Sequence, residues 1–402
     1  MNTVVVIGGG ASGIMAALTA AENKDNRVIL LERQQRIGRK LLATGNGRCN
    51  LTNTGAAPGN YHGEQADFAR PALARFSPQD ALAFFHGLGL LTEEEYGGRV
   101  YPLSNSANSV LDVLRFALEK AGVDLRCACP ARRILRRNGG GYTVVTDAGE
   151  TDADALIVAC GGAAGAKLGG VTDGYELLKP LGHKRTPLRP ALTQILTAPD
   201  YPRALKGVRA AAVLRLTDGE TALGENRGEL QFTETGVSGP AAFDLSRAVA
   251  AGGEGLSLCA DFLPEGADAF ALLEKRRETF PGQPASELFT GMLHNRLGRM
   301  LVKYAGLEAA RPIGSLTDNE LRRAARACTA FTLPVRGVEG FDSAQVTAGG
   351  VRTAGFNPDT LESWFMPGLF VCGELLDIDG DCGGYNLQWA WASGRLAGRL
   401  GT

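Results

Sequence analysis

The first thirty residues of the chain alternate apolar runs with a glycine-rich break. A β-branched run over 3–7 predicts a strand, an alanine-rich stretch over 14–22 predicts a helix, and an apolar run over 27–31 predicts a second strand. Gly8-Gly9-Gly10-Ala11-Ser12-Gly13 separates the first strand from the helix, and Glu32 follows the second strand. The pattern therefore predicts a strand, a tight turn, a helix and a strand that ends at an acid.

Three later segments are predicted to be further strands and a helix of the same core. An apolar run over 154–159 ends in Cys160-Gly161-Gly162, and a shorter run over 369–372 ends in Gly373-Glu374. Both have the form of a buried strand that leads into a glycine turn. Residues 386–400 have the composition of a closing helix.

The middle of the chain has a different pattern. Residues 208–235 contain two β-like runs on either side of Asp218-Gly219, which is a hairpin signal. Residues 264–331 have a helical pattern and include a capping-box candidate at Thr317-Asp318-Asn319-Glu320. We therefore expect an insertion at about 188–350 that interrupts a core made from both ends of the chain.

The glycine-rich turn at the N-terminus predicts a dinucleotide-binding site. Gly8 permits the sharp turn, Gly10 leaves room for a pyrophosphate, and Gly13 lets the helix pack closely on the strand. The helix N-terminus offers free N–H groups and a partial positive charge to the phosphates. Glu32 can accept hydrogen bonds from a ribose diol and would repel a 2′-phosphate. No second motif of this kind follows a strand, so the residues alone leave NAD and FAD both open.

Composition and charge exclude several classes of protein. The 54 glycines show no three-residue period, which excludes collagen. The formal net charge of -1 disfavours a strong general attraction to nucleic acid. The eight cysteines contain no C-x-x-C pair, so we expect no metal site. The sequence shows neither an apolar run of roughly 18–20 residues nor a secretory signal, so we expect a cytoplasmic protein without a membrane segment.

Four ordered blocks of the chain resemble the signature segments of one bacterial flavoprotein family. The family is known as the BaiN-like or HI0933-like NAD(P)/FAD-dependent oxidoreductases. Its segments GRK…GNGRCNLTN, GELLFTHxGLSGP, VTxGGV and GLYFxGExLDxxGxxGGYNLQxA are similar to residues 38–53, 228–240, 346–351 and 368–390. This chain departs from the usual pattern at Glu234, Trp364 and Cys382, where His, Lys and Thr are common.

The resemblance implies an α/β fold in three parts. A glutathione-reductase-like, FAD-binding Rossmann domain would consist of 1–187 plus 351–402. An inserted β-rich, barrel-like domain would consist of 188–263 plus 332–350, and a small helical domain would consist of 264–331. Both chain ends would then enclose the cofactor.

The resemblance also implies FAD as the cofactor and assigns residues to its parts. The pyrophosphate, the adenosine and the ribityl chain would be contacted by Gly8, Gly10, Ala11, Ser12, Gly13, Glu32, Arg33, Lys40, Ala131, Gly161, Gly162, Gly373 and Glu374. The isoalloxazine would be surrounded by Arg48, Cys49, Asn50, Gly384, Tyr385, Asn386 and Leu387. Arg48 is the candidate cation for the reduced flavin, and the alternative is an ordinary surface arginine.

Catalytic candidates follow from the need for a proton donor in alkene reduction. Glu234, Cys49 and Tyr385 carry suitable groups, and the sequence does not choose among them. Cys49 and Cys382 could form a redox-active pair, although we favour two small residues packed under the ring.

Three functions remain open from the sequence. The first is an FAD-dependent oxidoreductase that moves a hydride between NAD(P)H and a small organic substrate, by C=C reduction or by amine or ketone oxidation with O₂. The second is an RNA-modifying flavoenzyme that forms dihydrouridine in ribosomal RNA, with the arginines of 132–137 as a candidate contact. The third is a non-catalytic dinucleotide-binding protein.

Overall fold

The computed structural model describes residues 2–219 and 221–401, and the chain divides into two compact units. The first unit comprises Met1–Arg189 and Ala344–Thr402, and the second comprises Pro190–Ser343. The second unit thus interrupts the first in sequence, and each has a hydrophobic core of its own.

Both strands and helices occur at each end of the chain. The strands of the first segment are β1 (Asn2–Ile7), β2 (Asn26–Leu31), β3 (Thr52–Asn53), β4 (Tyr61–His62), β5 (Thr92–Glu95), β6 (Arg99–Pro102), β7 (Asp124–Arg126), β8 (Ala131–Arg136), β9 (Tyr142–Thr146), β10 (Gly149–Ala153) and β11 (Ala155–Val158). Its helices are α1 (Ala11–Ala20), α2 (Arg70–Arg75), α3 (Pro78–Gly87), α4 (Ala107–Lys120) and α5 (Asp173–Leu178).

The remaining elements follow in chain order. The strands are β12 (Arg189–Ala191), β13 (Ile195–Thr197), β14 (Arg209–Asp218), β15 (Thr221–Phe232), β16 (Gly236–Ser238), β17 (Leu256–Asp261), β18 (Phe331–Val338), β19 (Val346–Ala348), β20 (Leu369–Val371) and β21 (Asp379–Gly380). The helices are α6 (Asp200–Ala204), α7 (Pro240–Ala251), α8 (Ala269–Thr279), α9 (Asn295–Tyr304), α10 (Asp318–Thr329) and α11 (Tyr385–Gly398).

A five-stranded sheet in the order β20-β11-β1-β2-β7 forms the centre of the first unit. All its pairings are parallel, with Val5 opposite Ile29 on one side and Leu156 on the other. The inner strands are apolar at successive positions because both faces of a parallel sheet are covered. The strand β20, from the C-terminal end, completes this sheet, so both chain ends build one Rossmann-type core.

Helices α1 and α11 pack closely together through small residues. Gly394 and Gly398 lie against the backbone of α1, where added Cβ atoms would collide with the carbonyl oxygens of Ser12 and Ala16. The contact places the N-terminal turn and the C-terminal helix side by side.

The second unit contains a closed six-stranded barrel in the order β13-β16-β15-β14-β17-β18. The predicted hairpin is present, since Asp218 pairs with Thr221. The predicted capping box is also present, because the Thr317 side chain accepts a hydrogen bond from the Glu320 backbone N–H. Leucines of α9 and α10 share a core with the barrel strands. The predicted fold class, a Rossmann-type α/β domain with an inserted barrel, is confirmed.

None of the helices formed by the described residues combines the length and hydrophobicity that a membrane crossing requires.

Candidate active site

The three glycines of the N-terminal turn have three different surroundings. Gly8 has φ +111°, and a Cβ there would collide with the Ala159 carbonyl. A Cβ at Gly13 would collide with the carbonyl oxygen of Gly8. A Cβ at Gly10 would have no heavy atom of the described chain within 4 Å, and the backbone φ of −83° is ordinary. The fold itself therefore requires Gly8 and Gly13, whereas Gly10 leaves a space open at the helix N-terminus, as a bound pyrophosphate needs.

The first turn of α1 carries an uncompensated partial positive charge. It contains no acidic residue, and no side chain of the described residues caps it. Gly373, at the end of β20, has φ +74° and lies against the Ser12 side chain. The Gly373 N–H donates to the Ser393 hydroxyl over 2.9 Å, which fixes this turn on α11. The structure thus brings Ser12 and Gly373 together.

Glu32 is held beside the glycine turn by backbone donors. Its Oε2 accepts from the Gly9 N–H at 2.8 Å and its Oε1 from the Gln34 N–H at 2.7 Å. Each carboxylate oxygen keeps a second lone pair for a ribose hydroxyl. The Cys129 N–H donates to the Glu32 carbonyl over 2.9 Å, so the start of β8 at Ala131 lies near the same corner.

A second cluster joins residues from four distant segments. Lys40 Nζ forms an ion pair with Glu374 Oε2 at 2.6 Å, and Glu374 Oε1 accepts from the Thr347 N–H at 2.8 Å. Gly162 fits tightly here, because a Cβ would lie 2.8 Å from Glu374 Oε1. Gly161 has φ +72° and open space within the described residues. Lys40, Gly162 and Glu374 are thus neighbours, and their contact with a cofactor stays a prediction.

The two predicted arginines have partners within the protein. Arg33 donates to the Gly169 carbonyl at 3.3 Å and lies 3.9 Å from Asp173. Arg48 forms an ion pair with Glu95, which raises its pKa, and its guanidinium also stacks 3.9 Å from the centre of the Tyr101 ring. Both guanidinium groups are thus satisfied on the protein, and the role predicted for Arg48 at the flavin stays a prediction.

The segment after Arg48 reaches the N-terminus of α11. Gly384 has φ +103°, and a Cβ there would collide with Thr52 O and lie 3.0 Å from Asn50 Oδ1. Asn50 is about nine-tenths buried, yet its Oδ1 has no hydrogen-bond partner in the described part of the chain. A buried polar atom without a partner costs free energy, so a ligand donor at this place fits the site.

Buried hydrogen bonds fix that segment to α11. The Thr52 hydroxyl donates to Gln388 Oε1 at 2.7 Å, and the Trp391 indole N–H donates to the Leu51 carbonyl at 2.9 Å. Asn386 binds the Gly380 backbone through both side-chain atoms, at 2.8 and 2.7 Å. Gln388 is not among the predicted site residues, although it lies within the motif that carries the resemblance.

The predicted catalytic side chains have different environments. Cys49 is fully buried with φ +62°, and burial raises the pKa of its thiol to about 12. Tyr385 is partly buried at the start of α11, where its backbone carbonyl accepts from the Tyr61 hydroxyl at 3.1 Å. Glu234 is exposed in the second unit, and its ion pair with Lys206 at 2.8 Å lowers its pKa. Cys382 is partly buried, and none of the eight cysteines, which all lie within the described residues, forms a disulfide.

The arginines of 132–137 are the predicted candidate contact to nucleic acid, and no metal site is predicted. Arg132 is paired with Asp147 at 2.6 Å, and Arg137 is paired with Asp152 and Asp154. Half of the basic run is therefore neutralised by the protein. Within 2–219 and 221–401, no group of three or more His, Cys, Asp or Glu side chains could hold a metal ion.

Comparisons with known proteins extend over the whole chain. The model of the family described as HI0933-like protein Rossmann domain matches residues 2–400. The chain is 40% identical to the 3-dehydro-bile acid delta(4,6)-reductase of Clostridium scindens, over 99% of this chain and 98% of that protein. It is 30% identical to the ribosomal RNA dihydrouridine synthase of Escherichia coli, over 97% and 95% of the two chains.

The solved structures that match the chain are more distant in sequence. The 3-ketosteroid-delta4-(5alpha)-dehydrogenase from Rhodococcus jostii RHA1, in complex with 4-androstene-3,17-dione, is 17% identical with a TM-score of 0.47, over 99% of this chain and 95% of that chain. A flavocytochrome c3 fumarate reductase is 18% identical with a TM-score of 0.47, over 99% and 78%.

Proposed function

The chain belongs to the HI0933-like family, as its motifs predicted, and from this premise we propose that it is an FAD-dependent oxidoreductase that reduces a C=C bond conjugated to a ketone. The substrate class we propose is a 3-oxo bile acid or a similar steroid acid. The observation that carries the proposal is the 40% identity to the bile-acid reductase over 99% of this chain.

The residues of the first unit fit FAD. The open space at Gly10 and the uncapped N-terminus of α1 suit the pyrophosphate, and Glu32 suits the adenosine ribose. The unpartnered Asn50 Oδ1 beside the α11 N-terminus suits an N–H donor of the isoalloxazine. Bound FAD would supply the hydride transfer, and the protein would orient it and exclude water.

We propose Tyr385 as the residue that donates the proton. Reduction of an activated alkene needs a proton donor at the carbon next to the ketone. Tyr385 is the first residue of α11 and follows Gly384, where a Cβ would lie 3.0 Å from the unpartnered Asn50 Oδ1. Cys49 is fully buried with a thiol pKa of about 12, and Glu234 is exposed and ion-paired. Tyr385→Phe is therefore expected to lower kcat for alkene reduction at least tenfold without loss of bound FAD.

A spectroscopic and kinetic experiment tests the proposal. We expect purified protein to show flavin absorption, which NADH or NADPH bleaches under nitrogen and a 3-oxo-4-ene bile acid restores with formation of the saturated product. Gly10→Glu is the matched control, because a carboxylate in the open space would exclude the pyrophosphate and leave the protein colourless. Flavin that is reduced and then reoxidised only by air, with no steroid product, would contradict the proposal.

The similarity to the dihydrouridine synthase supports a second candidate, reduction of a uridine in ribosomal RNA. This reaction also reduces a C=C bond conjugated to a carbonyl. The ion pairs of Arg132 and Arg137 leave fewer free cations for a phosphate backbone. Ribosomal RNA lacking dihydrouridine serves as a parallel acceptor, and its NAD(P)H-dependent reduction in preference to the steroid would favour this candidate.

A further inference from the structure

A third arginine, Arg99, lies beside the N-terminus of α11. In β6, Arg99 pairs with Asn53 of β3, and Asn53 Nδ2 donates to the Gly383 carbonyl at 2.9 Å. A Cβ at Gly383 would lie 3.3 Å from Arg99 Nε and 3.4 Å from Tyr385 Cε2. The Arg99 side chain and the Tyr385 ring therefore border the same small space.

Arg99 differs from Arg48 because it has no counter-ion among the described residues. Within residues 2–219 and 221–401, no carboxylate forms an ion pair with Arg99, whereas Glu95 is paired with Arg48. The nearby Asp381 is engaged by His62 Nε2 at 2.7 Å and by Asn60 Nδ2 at 3.0 Å. Arg99 is partly buried, and a partly desolvated cation without an anion costs free energy that a ligand can recover.

The surroundings of Arg99 favour negative charge. The first turn of α11 contains no acidic residue, so its partial positive charge adds to that of Arg99. Burial raises the pKa of Tyr101, and the positive charges of Arg99 and Arg48 oppose this effect. The unpartnered Oδ1 of Asn50 borders the same helix N-terminus and, as an acceptor, suits a donor group and not an anionic oxygen. Arg99 and the N-terminus of α11 thus meet at a place that is suited to an anion.

We propose that Arg99 binds the ketone oxygen of the substrate and stabilises the negative charge that develops there. This inference rests on the proposed function. Addition of a hydride to the β-carbon moves the C=C electron pair so that an enolate forms on oxygen. Protonation of the α-carbon by the Tyr385 hydroxyl restores the ketone, and the tyrosinate regains its proton from water. The hydride comes from the cofactor, which NAD(P)H reduces again.

Arg99→Gln tests this role in turnover. Removal of one donor to a developing oxyanion lowers kcat by about 10²–10³-fold, and we expect a loss of that size with a smaller change in KM. Arg99→Lys retains the charge and should recover at least part of the loss. Arg115→Gln, which removes an exposed arginine paired with Asp112 in α4, should change kcat less than twofold.

Binding of a phenolic steroid tests the same role without turnover. A phenolate resembles the enolate, and its contact with oxidised flavin gives a long-wavelength absorption band. We expect the apparent pKa of the bound phenol to rise by at least one unit in Arg99→Gln relative to the unsubstituted protein. An unchanged phenol pKa would overturn the inference even if the protein reduces steroids. Conversely, a protein that reduces no enone yet shows this shift would refute the proposed function alone.

Two alternatives for Arg99 would also overturn the inference. If Arg99 binds the steroid carboxylate, Arg99→Gln will impair reduction of the acid but not of its methyl ester. If Arg99 acts on the flavin, the substitution will shift the flavin reduction potential or spectrum without any steroid. We expect equal losses for the acid and the ester, and an unchanged potential.

Discussion

The N-termini of α1 and α11 differ in how the chain constructs them. The turn before α1 consists of consecutive residues, and its shape follows from Gly8 and Gly13, where any side chain would collide with backbone. The turn before α11 is completed by Asn50, Thr52 and Arg99, which lie about 300 residues earlier. A site made of backbone N–H groups can thus be encoded locally, whereas convergent side chains need the assembled fold.

Among substitutions in the two turns, we expect the largest loss of stability at Gly13. Alanine normally stabilises a helix interior relative to glycine, but here its Cβ would collide with the Gly8 carbonyl. We expect Gly13→Ala to lower the free energy of unfolding by at least about 3 kcal/mol, because this contact involves backbone that cannot move aside. Urea unfolding of the apoprotein measures the change.

Gly10→Ala is the matched control for that substitution. Its Cβ meets open space among the described residues, so the free energy of unfolding should change by less than about 0.5 kcal/mol. The FAD content should fall, because the methyl group occupies the proposed pyrophosphate space. Equal destabilisation by both alanines would contradict the distinction between the two glycines.

Buried thiols should make the two helix ends behave alike at alkaline pH. Burial raises the pKa of Cys49, near α11, and of Cys372, near α1, to about 12. Between pH 9 and 12 the unfolded chain loses these protons while the folded chain keeps them. The contribution of these thiols to the free energy of unfolding is therefore fully present below pH 9. Between pH 9 and 12 it falls by about 1.4 kcal/mol per pH unit for each thiol.

Single substitutions test this pH dependence. Cys49→Ala and Cys372→Ala should each reduce the slope of unfolding free energy against pH by one proton. The slope, measured by urea unfolding at several pH values, separates this effect from the constant loss that a smaller side chain causes. A slope unchanged by both substitutions would show that these thiols titrate normally.

Loss of one buried hydrogen bond should weaken the contact between Thr52 and helix α11. Thr52→Val keeps the shape of the side chain but leaves Gln388 Oε1 without its donor. We expect a loss of about 1–3 kcal/mol in unfolding free energy and weaker FAD binding. Thr143→Val, which removes an exposed hydroxyl bonded to Asp152, is the control and should cost less than about 0.5 kcal/mol. Similar costs for both would contradict the importance of burial.

The smallest effect is expected at the ion pair between Lys40 and Glu374. The two side chains are 31% and 19% exposed, so water screens their interaction in part. Lys40→Met should therefore lower the free energy of unfolding by no more than about 1 kcal/mol. Glu374→Gln, which keeps an acceptor for the Thr347 N–H, should cost still less. A loss well above about 1 kcal/mol for either variant would contradict a pair weakened by solvent screening.

The sequence predicted the central elements within a few residues. The predicted strand over 3–7 is observed as Asn2–Ile7, and the predicted closing helix over 386–400 as Tyr385–Gly398. The predicted first helix begins three residues earlier, at Ala11, because the helix starts directly at the glycine turn. The division of the insertion into barrel and helical domains stays a prediction, as do the roles of individual site residues.

The sequence by itself determined the family, the α/β fold and the N-terminal glycine turn, because glycine spacing and apolar runs act over a few neighbouring residues. Only the tertiary structure decided which arginine is available to a ligand. Arg48 stands in the recognisable motif, yet Glu95 neutralises it, whereas Arg99 stands outside any motif and has no carboxylate partner in the described chain. The availability of a charge depends on its neighbours in space, and those neighbours are set by folding.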